Sequence, residues 1–281
     1  MSAAPHASSG PRDRIAAALG GVRRLGVAYS GGVDSSVLLA AAVRILGPAN
    51  VVGILAVSPS LAASERADAH AVAAVIGARI VEIETFEAER PEYRANGPDR
   101  CFHCKDELFT RIDDELAIDL DLDAIAYGEN ADDVQRIDRP GSRAAHEHRV
   151  LRPLADANLT KREVRALARD WGLPCADKPA APCLASRIPH FQEVTAVKLN
   201  QVELARGAVR ALVFTDVRVR HHGDTARVEF PLEDLARATA APMHGLVLFA
   251  VYQAGFDAVT IDPKGLQSGA FTRSALRGER G

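Results

Sequence analysis

Three short stretches carry the residue types that do chemistry. The first is SGGVDSS, residues 30–36. Its glycines let the backbone approach a ligand and reach positive φ. A helix start behind them turns N–H groups and the positive end of a dipole outward, and the serines add hydroxyl donors. The set suits an anion, and a phosphate fits best. It matches neither GxxxxGK[ST], since no lysine follows, nor GxGxxG. The bland alternative is a tight strand-to-helix turn with Asp34 as the cap.

The second stretch, RCFHCK, puts Cys101 and Cys104 in a C-x-x-C at a helix start, where thiolate is favoured. Cys183 stands in the proline-rich loop KPAAPCLASRIPHF. Four readings are open: a redox pair, half of a zinc site, part of an iron–sulfur site, or inert core cysteines. Zinc wants four ligands, and there is no second C-x-x-C. His103 points away from the side the pair shares, and Cys175 reads as structural. Three thiolates without a fourth suit a cubane cluster with one open iron, where added sulfide could bind. In the third stretch, DVRVRHH, Arg218 and Arg220 share one strand face and Val217 and Val219 the other. Two arginines on one face suit a phosphate, unless that face is merely solvated.

The elements that must position these residues follow from periodicity. Apolar runs at 25–29, 51–57, 78–84 and 123–128 read as strands, and 34–46, 64–77 and 101–117 as helices, with Ser64 a cap and Gly77 a stop. Alternating strands and helices with continuous apolar strands imply an α/β fold: a doubly wound parallel sheet covered on both faces. Ligands then gather at the strands' C-terminal ends. A helix over 160–172, capped by Thr160, and a loop over 178–191 follow. From 192 on, a helix, strands at 216–222 and 226–230, helical chain over 232–254 and a strand at 257–261 make a smaller C-terminal α+β domain. The expected division is a disordered lead-in over 1–20, a nucleotide domain over 21–183 and a substrate or oligomerisation domain over 184–281.

Composition narrows the function. The formal charge is −3 with 25% charged residues, which argues against a general nucleic-acid or membrane-surface binder. No apolar run approaches a bilayer span, and MSAAPHASSGPRDR lacks the apolar core of a secretory signal. A cytoplasmic protein is expected. Four cysteines in 281 residues make no disulfide framework.

Taken together, AYSGGVDSS, RCFHCK, NADD, KPAAPCLASRIP, VRVRHHGDTARVEF and GFDAVTIDPKGLQSGA run through nearly the whole chain. SGGVDS alone resembles the pyrophosphate loop of the PP-loop ATPases. The joint pattern resembles the LarE family of ATP-dependent pyridinium-3,5-biscarboxylic acid mononucleotide sulfurtransferases. That resemblance implies a Rossmann-like PP-loop domain that adenylates a substrate carboxylate and replaces oxygen by sulfur, toward the nickel-pincer nucleotide cofactor of lactate racemase. It implies ATP and Mg²⁺, with Ser30, Gly31, Gly32, Ser35 and Ser36 on pyrophosphate, Asp34 on Mg²⁺ or the loop, and Ser58 at the adenine. Two sulfur sources occur in the family. In one, a loop cysteine, here Cys183, gives up its own sulfur. In the other, three cysteines hold a [4Fe-4S] cluster that carries added sulfide, and Cys101, Cys104 and Cys183 match that branch. The resemblance further implies Ser186 and Arg187 at the site, Arg218, Arg220 and Glu229 on the substrate, and a homo-oligomer such as a hexamer. Asp132 and Asp133 are candidates for Mg²⁺ or substrate, or a helix cap, and Lys105 for neutralising phosphate or cluster charge. The chain departs from the pattern at Glu129 and Arg206. Rival readings are an ammonia-using ligase like NAD synthetase, which needs no cysteines, a tRNA thiolase, and a nucleotide-binding module with structural zinc.

Overall fold

The computed structural model describes residues 10–135 and 140–267. The run LGVAY forms β1 (Leu25–Tyr29), with Leu25 and Val27 fully buried. VVGILAV forms β2 (Val51–Val57), and β3 (Arg79–Glu84) and β4 (Ala124–Tyr127) complete a sheet of order β3-β2-β1-β4. Every pairing in it is parallel, with Tyr29 opposite Leu55 and Ala28 opposite Tyr127. Parallel strands need crossover connections. Here α2 (Val33–Leu46) and α3 (Ala63–Ile76) supply the first two. Burial is continuous along α2 from Ser35 to Ala42. The helix rests on β1 and β2, and on α1 (Pro11–Ala18), α3 and α9 (Lys161–Asp170) around them.

Between β3 and β4 lie a single-turn helix α4 (Pro91–Arg94), then α5 (Arg100–Arg111), which runs on into a wider π-type turn at Ile112–Leu116. After β4 come α6 (Ala131–Val134), α7 (Pro140–Glu147) and α8 (Pro153–Asp156). The chain then enters α10 (Ala196–Ala211), the hairpin of β5 (Arg218–His222) and β6 (Thr225–Glu229), α11 (Leu232–Thr239), α12 (Met243–Tyr252) and β7 (Ala258–Ile261). The second sheet has order β5-β6-β7, antiparallel then parallel. Its core is Phe214, Val217, Val219, Val228 and Phe230 against Val247 and Val251. The fold is therefore α/β, with a four-stranded parallel sheet and a separate three-stranded one.

Among the described residues the chain forms two compact units. One takes the chain up to Val57, Ala63–Thr85 and Cys104–Ala181. The other takes Ser58–Ala62, Phe86–His103 and the chain from Pro182 on. Several elements differ from expectation. Part of the lead-in is ordered: α1 buries Ile15, and Arg14 donates to Glu163 (2.8 Å) and to the Ala157 carbonyl (2.7 Å). An eight-residue helix too short to show periodicity is held here by tertiary contacts. Ser64 lies inside α3, not at its cap, while Gly77 ends that helix with φ 74°. The expected helix over 101–117 is α-helical only to Arg111. Residues 1–9 of the lead-in, and 268–281 with the end of the GLQSGA motif, lie outside the described residues. No single helix among those described is long and apolar enough to cross a membrane.

Candidate functional site

In the first unit the glycine loop sits at the C-terminal end of β1, at a central strand of the parallel sheet. Gly31 has φ 71°, and a Cβ there would come within 2.8 Å of Ala69. Only glycine meets both demands. Gly32 caps α2 and no side chain caps the helix, so its first N–H groups keep no side-chain acceptor. Ser35 Oγ stands 3.2 Å from Ser30 Oγ and donates to the Gly32 carbonyl (3.1 Å), which ties the loop's two hydroxyls together. Ser36 is fully buried and its N–H donates to Gly32 O (2.9 Å), so it supports the loop from inside.

The end of β4 packs directly onto this helix start. A Cβ at Gly128 would lie 2.6 Å from Ser35 N. Next come Glu129 and Asn130, both buried. Asn130 caps α6 and donates through Nδ2 to Asp34 Oδ1 (3.0 Å) and Asp133 Oδ2 (2.9 Å). Glu129, the departure from the family pattern, is paired: Ser142 Oγ donates to Oε1, and Arg152 lies 3.5 Å from Oε2. Asp34 Oδ2 receives Lys161 Nζ at 2.5 Å. Lys161 opens α9, where Thr160 and Glu163 form a reciprocal capping box and Asp132 accepts from the Lys161 N–H (2.8 Å). Asp132 thus accepts from the first N–H of α9, while Asp133 accepts from the side chain of Asn130, the cap of α6. Lys105 lies over the Tyr127 ring, 4.1 Å from its centroid.

The second unit holds Cys101 and Cys183, both exposed. Arg100 stands beside them, buried, with Nη1 donating to Asn96 Oδ1 and to the Ala185 carbonyl (3.0 Å). Asn96 in turn donates to the carbonyls of Ile188, Pro189 and Gln192 (3.3, 2.7 and 2.9 Å), so it ties the Cys183 loop to the start of α5. No carboxylate pairs with Arg100 among the described residues. Desolvation opposes its charge, but Cys183, Cys101 and Tyr93 together outweigh this and hold its pKa above the ordinary value. Cys183 shows surface to solvent, yet its sulfur is crowded enough that desolvation pushes the thiol up. Arg100 pulls the other way, and Cys101 adds to the rise. Ser186 Oγ and N both donate to the Cys183 carbonyl (2.6 and 3.0 Å).

Cys104 lies one turn beyond Cys101 on α5, and the boundary between the units passes between them. None of the four cysteines is in a disulfide, and Cys175 is buried. His103 faces Asp99 (3.2 Å). Three thiols fit thiolate ligation by their chemistry, and a buried cation without a carboxylate suits an anionic group beside Cys101 and Cys183. No three His, Cys, Asp or Glu side chains stand at metal-holding distances among the described residues.

The same unit gathers arginines. Arg187 is only 9% exposed. Desolvation, then Arg218 and Arg220, lower its pKa to about 10. Arg206, the other departure, adds to this repulsion. Arg220 is buried and held by Glu229, and Arg218 Nη1 donates to the Gln267 carbonyl (3.1 Å). A solvated face is excluded for Arg220. Ser58 also belongs to this unit, where its Oγ donates to buried Glu87 (2.5 Å).

Residue type and spacing do not single out Lys161, Asn130, Arg100 or Asn96 as site residues. A lysine at the first position of a helix opposes the dipole, and that was the one sequence signal for Lys161. Arg100 had only its adjacency to Cys101, since burial is not readable from a single charged residue.

No protein-family model matches the chain. An uncharacterized protein of Synechocystis sp. is 41% identical over 247 residues, 88% of this chain and 91% of its own. An uncharacterized protein of Methanocaldococcus jannaschii is 26% identical over 215 residues, 76% of this chain and 80% of its own. The pyridinium-3,5-bisthiocarboxylic acid mononucleotide synthase of Lactiplantibacillus plantarum is 31% identical over 255 residues, 91% of each chain. With that identity over nine-tenths of both chains, the chain belongs to the LarE-type family of pyridinium-3,5-bisthiocarboxylic acid mononucleotide synthases.

Proposed function

We propose that the chain is an ATP-dependent sulfurtransferase acting on pyridinium-3,5-biscarboxylic acid mononucleotide, in the making of the nickel-pincer nucleotide. The observation that carries the ATP half is the loop at the end of β1. A helix start without a side-chain cap, Gly31 in the left-handed region and the Ser30–Ser35 pair support this reading, because together they suit an anion such as pyrophosphate. The substrate class comes from the L. plantarum relative's name.

In this reading a substrate carboxylate oxygen attacks the α-phosphorus of ATP. The bond from that phosphorus to the β-phosphate oxygen breaks, and pyrophosphate leaves with the electron pair. Sulfide then attacks the acyl carbon, the bond to the AMP oxygen breaks, and thiocarboxylate, AMP and a proton result. The second carboxylate follows the same course. Ser30, Gly31, Gly32 and Ser35 would hold the pyrophosphate, and Asp34 would serve Mg²⁺. Arg187 and Arg218 take the substrate phosphate, while Glu229 fixes Arg220 beside them.

For the sulfur, Cys101, Cys104 and Cys183 would hold a [4Fe-4S] cluster, which when bound supplies an open iron for sulfide. The exposure of Cys183 also favours a second reading, in which its own sulfur is given up. Anaerobic purification tests both. The cluster reading expects about four iron and four acid-labile sulfide per chain, lost in C101A, C104A and C183A. Protein without iron whose mass falls by one H₂S per turnover means the sacrificial route. Product formed from ammonia with all cysteines replaced overturns both.

A further inference from the structure

The glycine loop has no lysine of its own. The fold brings one from 127 positions further on. Lys161 Nζ lies 2.5 Å from Asp34 Oδ2, in the first turn of the helix that opens behind the loop. Its backbone is fixed from two sides: by the Thr160–Glu163 capping box and by the bond from its N–H to Asp132 Oδ2 (2.8 Å). The helix it opens packs on α2. A cation at a helix N-terminus is electrostatically disfavoured, so the position needs a compensating anion. In this structure Asp34 is that anion.

The pair is half-open to solvent, with the Lys161 side chain 38% exposed and that of Asp34 21%. Such pairs contribute little to stability, so Lys161 can exchange partner at small cost. Asp34 keeps a second hydrogen bond, from Asn130 Nδ2 (3.0 Å), and stays oriented if the lysine leaves.

We propose that Lys161 is the phosphate-binding cation of this loop, parked on Asp34 until nucleotide arrives. This rests on the ATP reading given above. The Asp34 carboxylate would hold Mg²⁺ that comes with the nucleotide, and the released Lys161 would turn to the β- and γ-phosphate oxygens. As the bond between the α-phosphorus and the β-phosphate oxygen breaks, negative charge develops on the departing pyrophosphate. A fixed ammonium there stabilises it. The lysine reaches those phosphates from α9, not from the loop's own helix as in GxxxxGK[ST].

Calorimetric titrations of the full chain with Mg²⁺-ATP, Mg²⁺-pyrophosphate and AMP test this. The variants are Lys161→Gln, which keeps a donor to Asp34, and Lys161→Arg, which keeps the charge. We expect Lys161→Gln to lose at least tenfold in affinity for ATP and pyrophosphate, to hold AMP within twofold, and Lys161→Arg to recover most of the loss. Should Lys161→Gln fail to fold, Lys161→Met is read the same way. Unchanged pyrophosphate affinity in a folded variant overturns the proposal and leaves the ATP reading standing. An equal loss for all three ligands, with a lower melting temperature, also overturns it, because the lysine is then only structural. Wild type that binds neither ATP nor pyrophosphate overturns the proposal together with the ATP reading.

Discussion

Arg220 and Glu229 form a buried ion pair across the β5–β6 ladder, Nε to Oε1 at 2.5 Å and Nη2 to Oε2 at 2.9 Å. The register sets Arg220 opposite Arg227 and Arg218 opposite Glu229, so the pair runs diagonally. One carboxylate therefore quiets one of the arginines grouped around Arg187. Arg220 Nη2 also donates to the Gln267 carbonyl (2.5 Å), which joins the strand to the chain beyond β7.

Removing that carboxylate strands a buried guanidinium. Glu229→Gln should destabilise the protein by about 3–5 kcal/mol, the usual cost of breaking a buried pair from one side. Urea unfolding of the variant against wild type measures it. A loss under about 1 kcal/mol would show that the pair is well solvated.

The arginines that remain should answer to anions. Inorganic phosphate should raise the melting temperature of wild type and do so much less for Arg187→Gln, since a ligand of the native state stabilises it by mass action. Equal shifts in both proteins would remove Arg187 from the anion site.

Gly128 decides whether β4 can meet the loop. A Cβ there falls 2.6 Å from Ser35 N, against backbone that cannot yield. Gly128→Ala should cut Mg²⁺-ATP affinity by more than tenfold. Gly207 has open space around it, and Gly207→Ala should leave that affinity unchanged. Similar titration curves for the two variants would mean that the β4 contact does not shape the loop.

A histidine in β5 gives the fold an acid limit. Desolvation, with Lys198 and His222 adding, lowers the pKa of His221 from 6.5 to about 4. Its Nδ1 is buried without a partner, while Nε2 meets Gln201 Oε1 at 3.0 Å, a geometry for the neutral ring. Below 6.5 the unfolded chain takes up a proton that the folded one refuses. Stability should therefore fall as pH drops from about 6.5 toward about 4. Replacing His221 with Gln should flatten that slope in melting curves, and an unchanged slope would place the effect elsewhere.

His148 should act in the opposite sense. Desolvation works against its charge, but hydrogen bonds to Asp113 and Asp106, at 3.0 Å each, carry its pKa above 6.5. Its contribution is full below pH 6.5 and is lost as pH rises through the raised folded value. The stability gap between wild type and His148→Gln should shrink over that rise.

Much of this was legible in the chain. Continuous apolar runs at 25–29 and 51–57 gave strands with those bounds, because strands buried on both faces leave no other pattern. Thr160 as a cap announced α9, since capping is a local device, and the structure completes it with Glu163 as a capping box. What failed was also physical. Within the expected lead-in, Pro11–Ala18 form α1, held where Arg14 reaches Glu163, 149 positions away, and no window of sequence holds both. The π-type turn at Ile112–Leu116 carries the same apolar spacing as a helix and is indistinguishable by periodicity.

The sequence by itself determined which residues could do chemistry: the glycine loop, the cysteines and the arginines of β5 are set by type and spacing. Only the tertiary structure decided which charges meet. It set Lys161 on Asp34, Glu229 on Arg220, and Arg100 beside Cys101 and Cys183. Covalent spacing fixes local geometry over a turn or a strand. Ion pairing depends on distance and burial in three dimensions, and these are properties of the packed chain.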